Sequence, residues 1–132
     1  MTGSHTAAGA HIELGIERVL GAALLAAMGG LHLYLWLNGY SDLGLIAQLF
    51  LLNVIGSGLL ALVLLTSPRR FLTLAAGIGS VFTLGTLLAL VLSLTVSLLG
   101  FREDLHAHLV PTTLVVESAG TLMLAVLAVR AR

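Results

Sequence analysis

Four long apolar stretches alternate with short polar connections along the chain. They cover residues 19–37, 45–65, 71–99 and 111–129. Each stretch is long enough to cross the roughly 30 Å hydrocarbon core of a bilayer as an α-helix. The connections contain Asn38-Gly39 and, after the second stretch, Pro68 with two arginines, and such residues end one helix before the next begins. The pattern predicts an all-α polytopic membrane protein.

The order of the stretches predicts how the helices are arranged. Short connections make consecutive helices antiparallel neighbours, which gives an up-down-up-down four-helix transmembrane bundle. The 132 residues leave room for a single transmembrane domain, with a mobile N-terminal tail at about residues 1–12. The third stretch, 71–99, holds 29 residues without a charge and would be about 43 Å long as a helix. We therefore expect that helix to tilt or to project beyond the hydrocarbon core.

The positions of the arginines predict the orientation. The basic residues of the chain are six arginines. The predicted spans place five of them on one side of the membrane: Arg18, Arg69, Arg70, Arg130 and Arg132. Only Arg102 falls on the opposite side. Because arginines collect in cytoplasmic connections, both termini are expected to be cytoplasmic.

Composition agrees with this fold class and excludes several functions. Hydrophobic residues make up 58% of the chain and charged residues 9%, and the mean hydropathy is +1.10. Without lysine there is no basic surface for nucleic acid. The absence of cysteine excludes disulfides, thiol chemistry, cysteine-ligated zinc, iron–sulfur clusters and covalent attachment of c-type haem. No nucleophile constellation or phosphate-binding loop is visible, which makes a hydrolase or a transferase the least favoured of the functions considered.

Small and hydroxyl-bearing residues recur on one face of each predicted helix. Close approach of such residues is what brings helices together in lipid, where leucine is already well solvated. The residues expected to pack between helices are Gly30, Gly56, Gly79, Thr83, Thr86 and Gly120. The expected surroundings of the bundle are the lipid bilayer. The same small-residue faces also allow it to associate with other membrane subunits or with copies of the same chain.

Two ionisable residues are predicted to meet inside the membrane. Glu117 is the only carboxylate well within a span, six residues after Pro111. An isolated ionised carboxylate there is costly, so it must be protonated, paired or facing a wet cavity. His32 lies six residues before Asn38, at matching depth, and the first and last helices of a small bundle are neighbours. The sequence thus predicts a contact between His32 and Glu117.

Two further residues extend this pair to a predicted polar pocket opening on the outer side. Trp36 follows His32 by about one turn, and Asn53 shares a helix face with Ser57. The pocket would consist of His32, Trp36, Asn53 and Glu117. One interpretation is a hydrogen-bonded clamp that holds the helices in register. The other is a functional pocket for proton transfer, a metal, a haem or a quinone head group.

The connection before the fourth span holds a second cluster. His106, His108 and Asp104 carry nitrogen and oxygen ligands suited to zinc or copper. Residues two apart face different ways on a helix, so these ligands converge only on irregular backbone. The alternative is a solvated loop. No cofactor is required by the sequence.

Parts of the chain resemble a known group of proteins. The stretch HLYLWLNGY from His32 to Tyr40, followed by LFLLN at 49–53, resembles small, uncharacterised four-span integral membrane proteins of actinobacteria. The stretch LLGFRE at 98–103 and the intramembrane Glu117 fit the same resemblance. The resemblance implies a four-span fold in the bacterial cytoplasmic (inner) membrane, and it brings no catalytic residues with it.

Three functions remain open from the sequence. The first is a non-enzymatic accessory or assembly subunit of a membrane complex. The second is binding of a small molecule, haem, metal or quinone in a pocket around His32 and Glu117. The third is a proton-coupled transporter that acts as an oligomer, although no broken helix or inverted repeat is evident.

Overall fold

Four α-helices form the chain, and each is long and apolar enough to cross a membrane. The computed structural model describes the backbone of residues 2–132, with the side chains of residue 9 and residues 12–132. The helices are α1 (Thr2–Leu37), α2 (Leu45–Thr66), α3 (Arg69–Thr95) and α4 (Val110–Arg130). Their candidate spans are Ile12–Leu37, Leu45–Thr66, Arg69–Thr95 and Val110–Arg130. Residues 2–132 contain no β-strand. The prediction of an all-helical protein with four helices long and apolar enough to cross a membrane is confirmed. The expected mobile tail falls largely on residues whose side chains lie outside those described, and it stays a prediction.

The turns follow the sequence signals, with one difference in the third helix. Gly39 (φ 130°) and Gly44 (φ 59°) adopt left-handed backbone around a short 3-10 turn at Tyr40–Asp42. The helix α3 ends at Thr95, four residues before the apolar stretch does. Beyond it, Leu98 and Phe101 exchange two backbone hydrogen bonds of 2.7 and 2.8 Å and close a tight turn. Because apolar residues continue into the α3–α4 loop, hydropathy does not mark the residue at which α3 ends.

Consecutive helices run antiparallel, and α1 also packs against α4. Gly29 of α1 lies beside Ser57 of α2, and Thr83 of α3 lies beside Gly120 of α4. The least extensive of the four neighbouring interfaces is between α2 and α3.

The two halves of the bundle are packed differently. We call the termini half residues 12–28, 56–66, 69–80 and 119–130, and the loop half residues 29–37, 45–55, 81–95 and 110–118. The apolar core lies in the termini half, around Leu25, Leu64, Leu72, Leu124 and Leu127. Most of the buried polar side chains lie in the loop half: His32, Asn53, Thr83, Ser93, Thr113 and Glu117. The packing is thus tight at one end of the bundle and polar at the other.

Charged residues link the helices at the far end of the termini half. Arg130 pairs with both Glu13 and Glu17, which ties α4 to α1. Arg18 donates to the backbone oxygen of Ser67 at 2.8 Å, at the end of α2. These contacts join α1 to α4 and to the end of α2, at the end of the bundle where the chain termini lie.

Most of the predicted packing residues lie at helix contacts. A Cβ added at Gly56 would come within 2.7 Å of the Phe82 ring, and one at Gly79 within 3.2 Å of Leu124. Gly30 does not, since it is exposed and an added Cβ would meet no described atom within 4 Å. Its neighbour Gly29 makes the contact instead, because each residue turns the helix by about 100° and places Gly30 on the outer face. The role predicted for Gly30 is therefore wrong.

Candidate functional site

A cavity of about 370 Å³ occupies the loop half of the bundle. All four helices and the α3–α4 loop contribute to its wall. His32 and Glu117 line it from α1 and α4, Asn53 and Thr86 from α2 and α3, and Glu103 from the loop. The remaining lining is mainly apolar. The cavity therefore combines a hydrocarbon-like wall with a few convergent polar groups, which is the usual character of small-molecule sites.

His32 and Glu117 lie side by side in this cavity. His32 Nε2 is 3.8 Å from Glu117 Oε1, and the two residues are 6% and 0% exposed. The other ring nitrogen, Nδ1, lies 2.8 Å from the backbone oxygen of Met28. Since a carbonyl oxygen only accepts, Nδ1 carries a hydrogen and donates it. This bond fixes the ring so that Nε2 faces Glu117.

The carboxyl group of Glu117 has no hydrogen-bond partner. Both of its oxygens are buried, and neither is bonded by any described residue. The distance of 3.8 Å to His32 exceeds a hydrogen bond, which spans about 2.7–3.2 Å. A buried polar group without a partner costs about 1–3 kcal/mol. The protein alone therefore leaves its most polar buried side chain unsatisfied.

The other polar side chains of the cavity are bonded within the protein. Asn53 donates to Thr86 Oγ1 at 3.0 Å and accepts from Ser57 at 3.1 Å. Thr113 donates to the backbone oxygen of Leu109 at 2.7 Å. Asn53 thus joins α2 to α3, which is a structural role. Glu117 and the Nε2 atom of His32 are left to interact with whatever fills the cavity.

The loop end of the cavity is covered by an aromatic and acidic lid, formed by Tyr40, Phe50, Phe101 and Glu103. Tyr40 donates to Glu103 Oε2 at 2.7 Å and stacks on Phe50 with ring centroids 4.9 Å apart. Phe101 meets Tyr40 edge-on at 6.0 Å. Burial, together with the bonded Glu103 carboxylate, raises the pKa of Tyr40 above its ordinary value. Phe50, Phe101 and Glu103 of the lid line the cavity at this end of the bundle.

The predicted pocket is only partly the one that the structure contains. His32, Asn53 and Glu117 line the cavity, but Trp36 does not. Four residues advance a helix by about 40° beyond a full turn, and Leu35 faces the cavity in place of Trp36. The indole nitrogen of Trp36 is buried without a partner in the described part of the chain. Sequence reasoning missed the lid, since nothing in the pattern links Tyr40 to Glu103, 63 positions away.

The second predicted cluster shows no metal-binding arrangement in the part of the chain that the structure describes. The backbone N–H of His106 donates to Asp104 Oδ1 at 2.8 Å, and the His108 ring lies 6.0 Å from that of Tyr34. Among the residues described, no three histidine, aspartate or glutamate side chains are arranged to hold a metal ion. The Asp104 carboxylate is thus bonded to the loop backbone, and the His108 ring lies against α1.

Comparison with known proteins leaves the function to be argued from this site. No family model matches this chain. No curated protein and no solved structure matches it either. The resemblance to actinobacterial four-span proteins therefore stays an expectation.

Proposed function

We propose that the protein binds a lipid-soluble small molecule in the cavity of the loop half. The polar head of the molecule would lie at His32 and Glu117, and its apolar part along the α2 and α3 walls. The observation that carries this proposal is the fully buried Glu117, whose two carboxyl oxygens have no partner among the described residues. A cavity of about 370 Å³ is within the range of roughly 300–1,000 Å³ that ligand sites occupy.

A purely structural clamp explains this geometry less well. A clamp stabilises a bundle by bonding one helix to another, as Asn53 does with Thr86. Glu117 makes no hydrogen bond to another described residue, and a buried carboxyl without a hydrogen bond lowers stability. Residues that cost stability inside a membrane are typically retained for function. The pair therefore fits a binding role better than a fastening role.

The single tryptophan of the chain provides a direct binding assay. Trp36 is one helical turn from His32, so a heavy atom held near His32 is expected to quench its fluorescence. The probes share a dodecyl chain with two bromine atoms near the head group, which is an alcohol, methyl ether, methyl ketone, carboxylic acid or amine. In nanodiscs of phosphatidylglycerol and phosphatidylcholine, at least one probe is expected to quench saturably. Quenching that rises without saturation for every head group would overturn the proposal.

We also propose that the protein resides in a bacterial cytoplasmic membrane with both termini in the cytoplasm. The support is the charge distribution, because Arg18, Arg130 and the α2–α3 connection lie at the same end of the bundle. The lid end would then face outward.

The absence of cysteine makes this orientation simple to test. In intact cells, a membrane-impermeant maleimide is expected to label Ser41→Cys but not Thr66→Cys. Both positions are exposed; Ser41 lies in the turn before α2 and Thr66 is the last residue of α2, so they are at opposite ends of the bundle. Thr66→Cys should become labelled only after lysis. The reverse pattern would contradict the orientation while leaving the binding proposal intact. The accessory-subunit and transporter hypotheses stay predictions from the sequence.

A further inference from the structure

The hydrogen-bonding capacity of the cavity restricts the head group that it accepts. No lysine or arginine lines the described wall, and Glu103 is already bonded by Tyr40. A net charge in such a cavity is costly, so His32 and Glu117 share one proton between them. Either Glu117 carries that proton and Nε2 of His32 accepts, or Nε2 carries it and the carboxylate accepts. In both states the pair offers one donor and one acceptor.

The spacing of the pair suits a single bridging oxygen. The 3.8 Å between Nε2 and Oε1 is too long for a direct bond, yet one oxygen can lie about 2.8 Å from both atoms. To satisfy both, that oxygen must accept one hydrogen bond and donate another. A hydroxyl does this, whereas an ether or carbonyl oxygen only accepts. An ammonium group only donates.

The cavity also has an opening on the side of the bundle. Gly85, Leu52 and Val81 line the cavity and are exposed, and they lie within the candidate spans of α2 and α3. These helices form the least extensive of the neighbouring contacts. A Cβ added at Gly85 would meet no described atom within 4 Å. Because these three residues lie within the candidate spans, this opening leads to the surrounding hydrocarbon.

We infer that the ligand is an amphiphile with a hydroxyl head, which enters from the bilayer between α2 and α3 and bridges His32 and Glu117. This inference rests on the proposed function and narrows it to one chemical class. The hydroxyl supplies a hydrogen-bond partner for Oε1 of Glu117. The chain of the amphiphile leaves through the opening beside Gly85 and remains in lipid.

The head-group inference is tested with the brominated alcohol and its methyl ether. They differ by one hydrogen-bond donor and share the same chain. Losing one hydrogen bond in a buried site weakens binding by about tenfold, so the alcohol is expected to bind at least that much more tightly. Equal affinity of ether and alcohol, or tighter binding of the ketone, acid or amine, would overturn the hydroxyl head while leaving the proposed function standing.

The entry route is tested with variants that fill the opening. Gly85→Leu places a side chain in open space at the mouth, and Gly77→Leu does the same on α3 away from the cavity. Saturable quenching by the alcohol is expected to disappear in Gly85→Leu and to persist in Gly77→Leu. Val81→Phe, on the same rim, serves as a second filling variant if Gly85→Leu does not fold. Unchanged alcohol binding in a folded rim variant would overturn lateral entry, and loss of binding in Gly77→Leu would do the same.

Discussion

Replacing Glu117 with methionine is expected to stabilise the protein and to abolish probe binding. The buried carboxyl has no partner among the described residues, so removing it relieves an unfavourable burial. Methionine has a similar length and no group that needs a hydrogen bond, and the expected gain is about 1–3 kcal/mol in the free energy of unfolding. Equilibrium unfolding in mixed micelles measures the stability, and Trp36 quenching by the brominated alcohol measures binding.

A gain in stability together with a loss of probe binding distinguishes a ligand-binding residue from one that holds the helices together. A clamp residue would lower the stability when replaced, because its bonds would be lost. Val115→Met is a matched control on the same helix, since Val115 is 67% exposed and outside the cavity. It is expected to change neither quantity. A folded Glu117→Met protein that is less stable than the parent would mean that the carboxyl holds the helices together.

Leu124→Ala is expected to have the largest effect on stability, about 2–5 kcal/mol of destabilisation. Leu124 is fully buried where α4 meets two other helices. A Cβ added at Gly21 would lie 2.8 Å from one of its methyl groups, and one at Gly79 would lie 3.2 Å from the other. Shortening Leu124 leaves a cavity at this junction. Equilibrium unfolding of the variant measures the loss, with the exposed Leu122→Ala expected to differ little from the parent.

A compensating substitution tests whether the destabilisation by Leu124→Ala arises from lost packing at this junction. Gly21→Val should also destabilise the protein, because its side chain would overlap Leu124. In the double variant the new valine fills the space that Leu124→Ala leaves. The combined loss is therefore expected to be smaller than the sum of the two single losses, which is the sign of direct contact. Strict additivity would contradict this packing.

Much of the fold could be predicted from hydropathy alone. Turn signals and apolar length are local properties, and they located all four helices. The end of α3 was less predictable, because residues 96–99 are uncharged and mostly apolar and yet belong to the loop. The rotation of α1 is a similar case, since Gly29 contacts α2 whereas Gly30 faces away from the other described helices. A pattern of small residues indicates a packing face, but it fixes the rotation of a helix only to within about one residue.

Contacts in the candidate site could be predicted from the sequence only where two residues lie at the same depth in neighbouring spans. His32 and Glu117 are at matching distances from the ends of neighbouring spans, and the structure brings them to 3.8 Å. Trp36 has a suitable depth as well, but its rotation around α1 directs it away from the cavity. The bond between Tyr40 and Glu103 depends on how two loops fold over the bundle. The size of the cavity depends on side-chain packing, which no single stretch of sequence records.

The division between a packed and a hollow half has a consequence for how such a chain can diversify. Changes among the leucines of the termini half alter the stability of the scaffold, as at Leu124. Changes at positions such as Ala89 or Leu90, on the cavity wall, alter the shape of the enclosed space and touch few core residues. Under the proposed function, selection can therefore act on ligand preference at such cavity-wall positions and on folding at the leucines of the termini half. The same four spans can acquire a new specificity without first having to recover a lost fold.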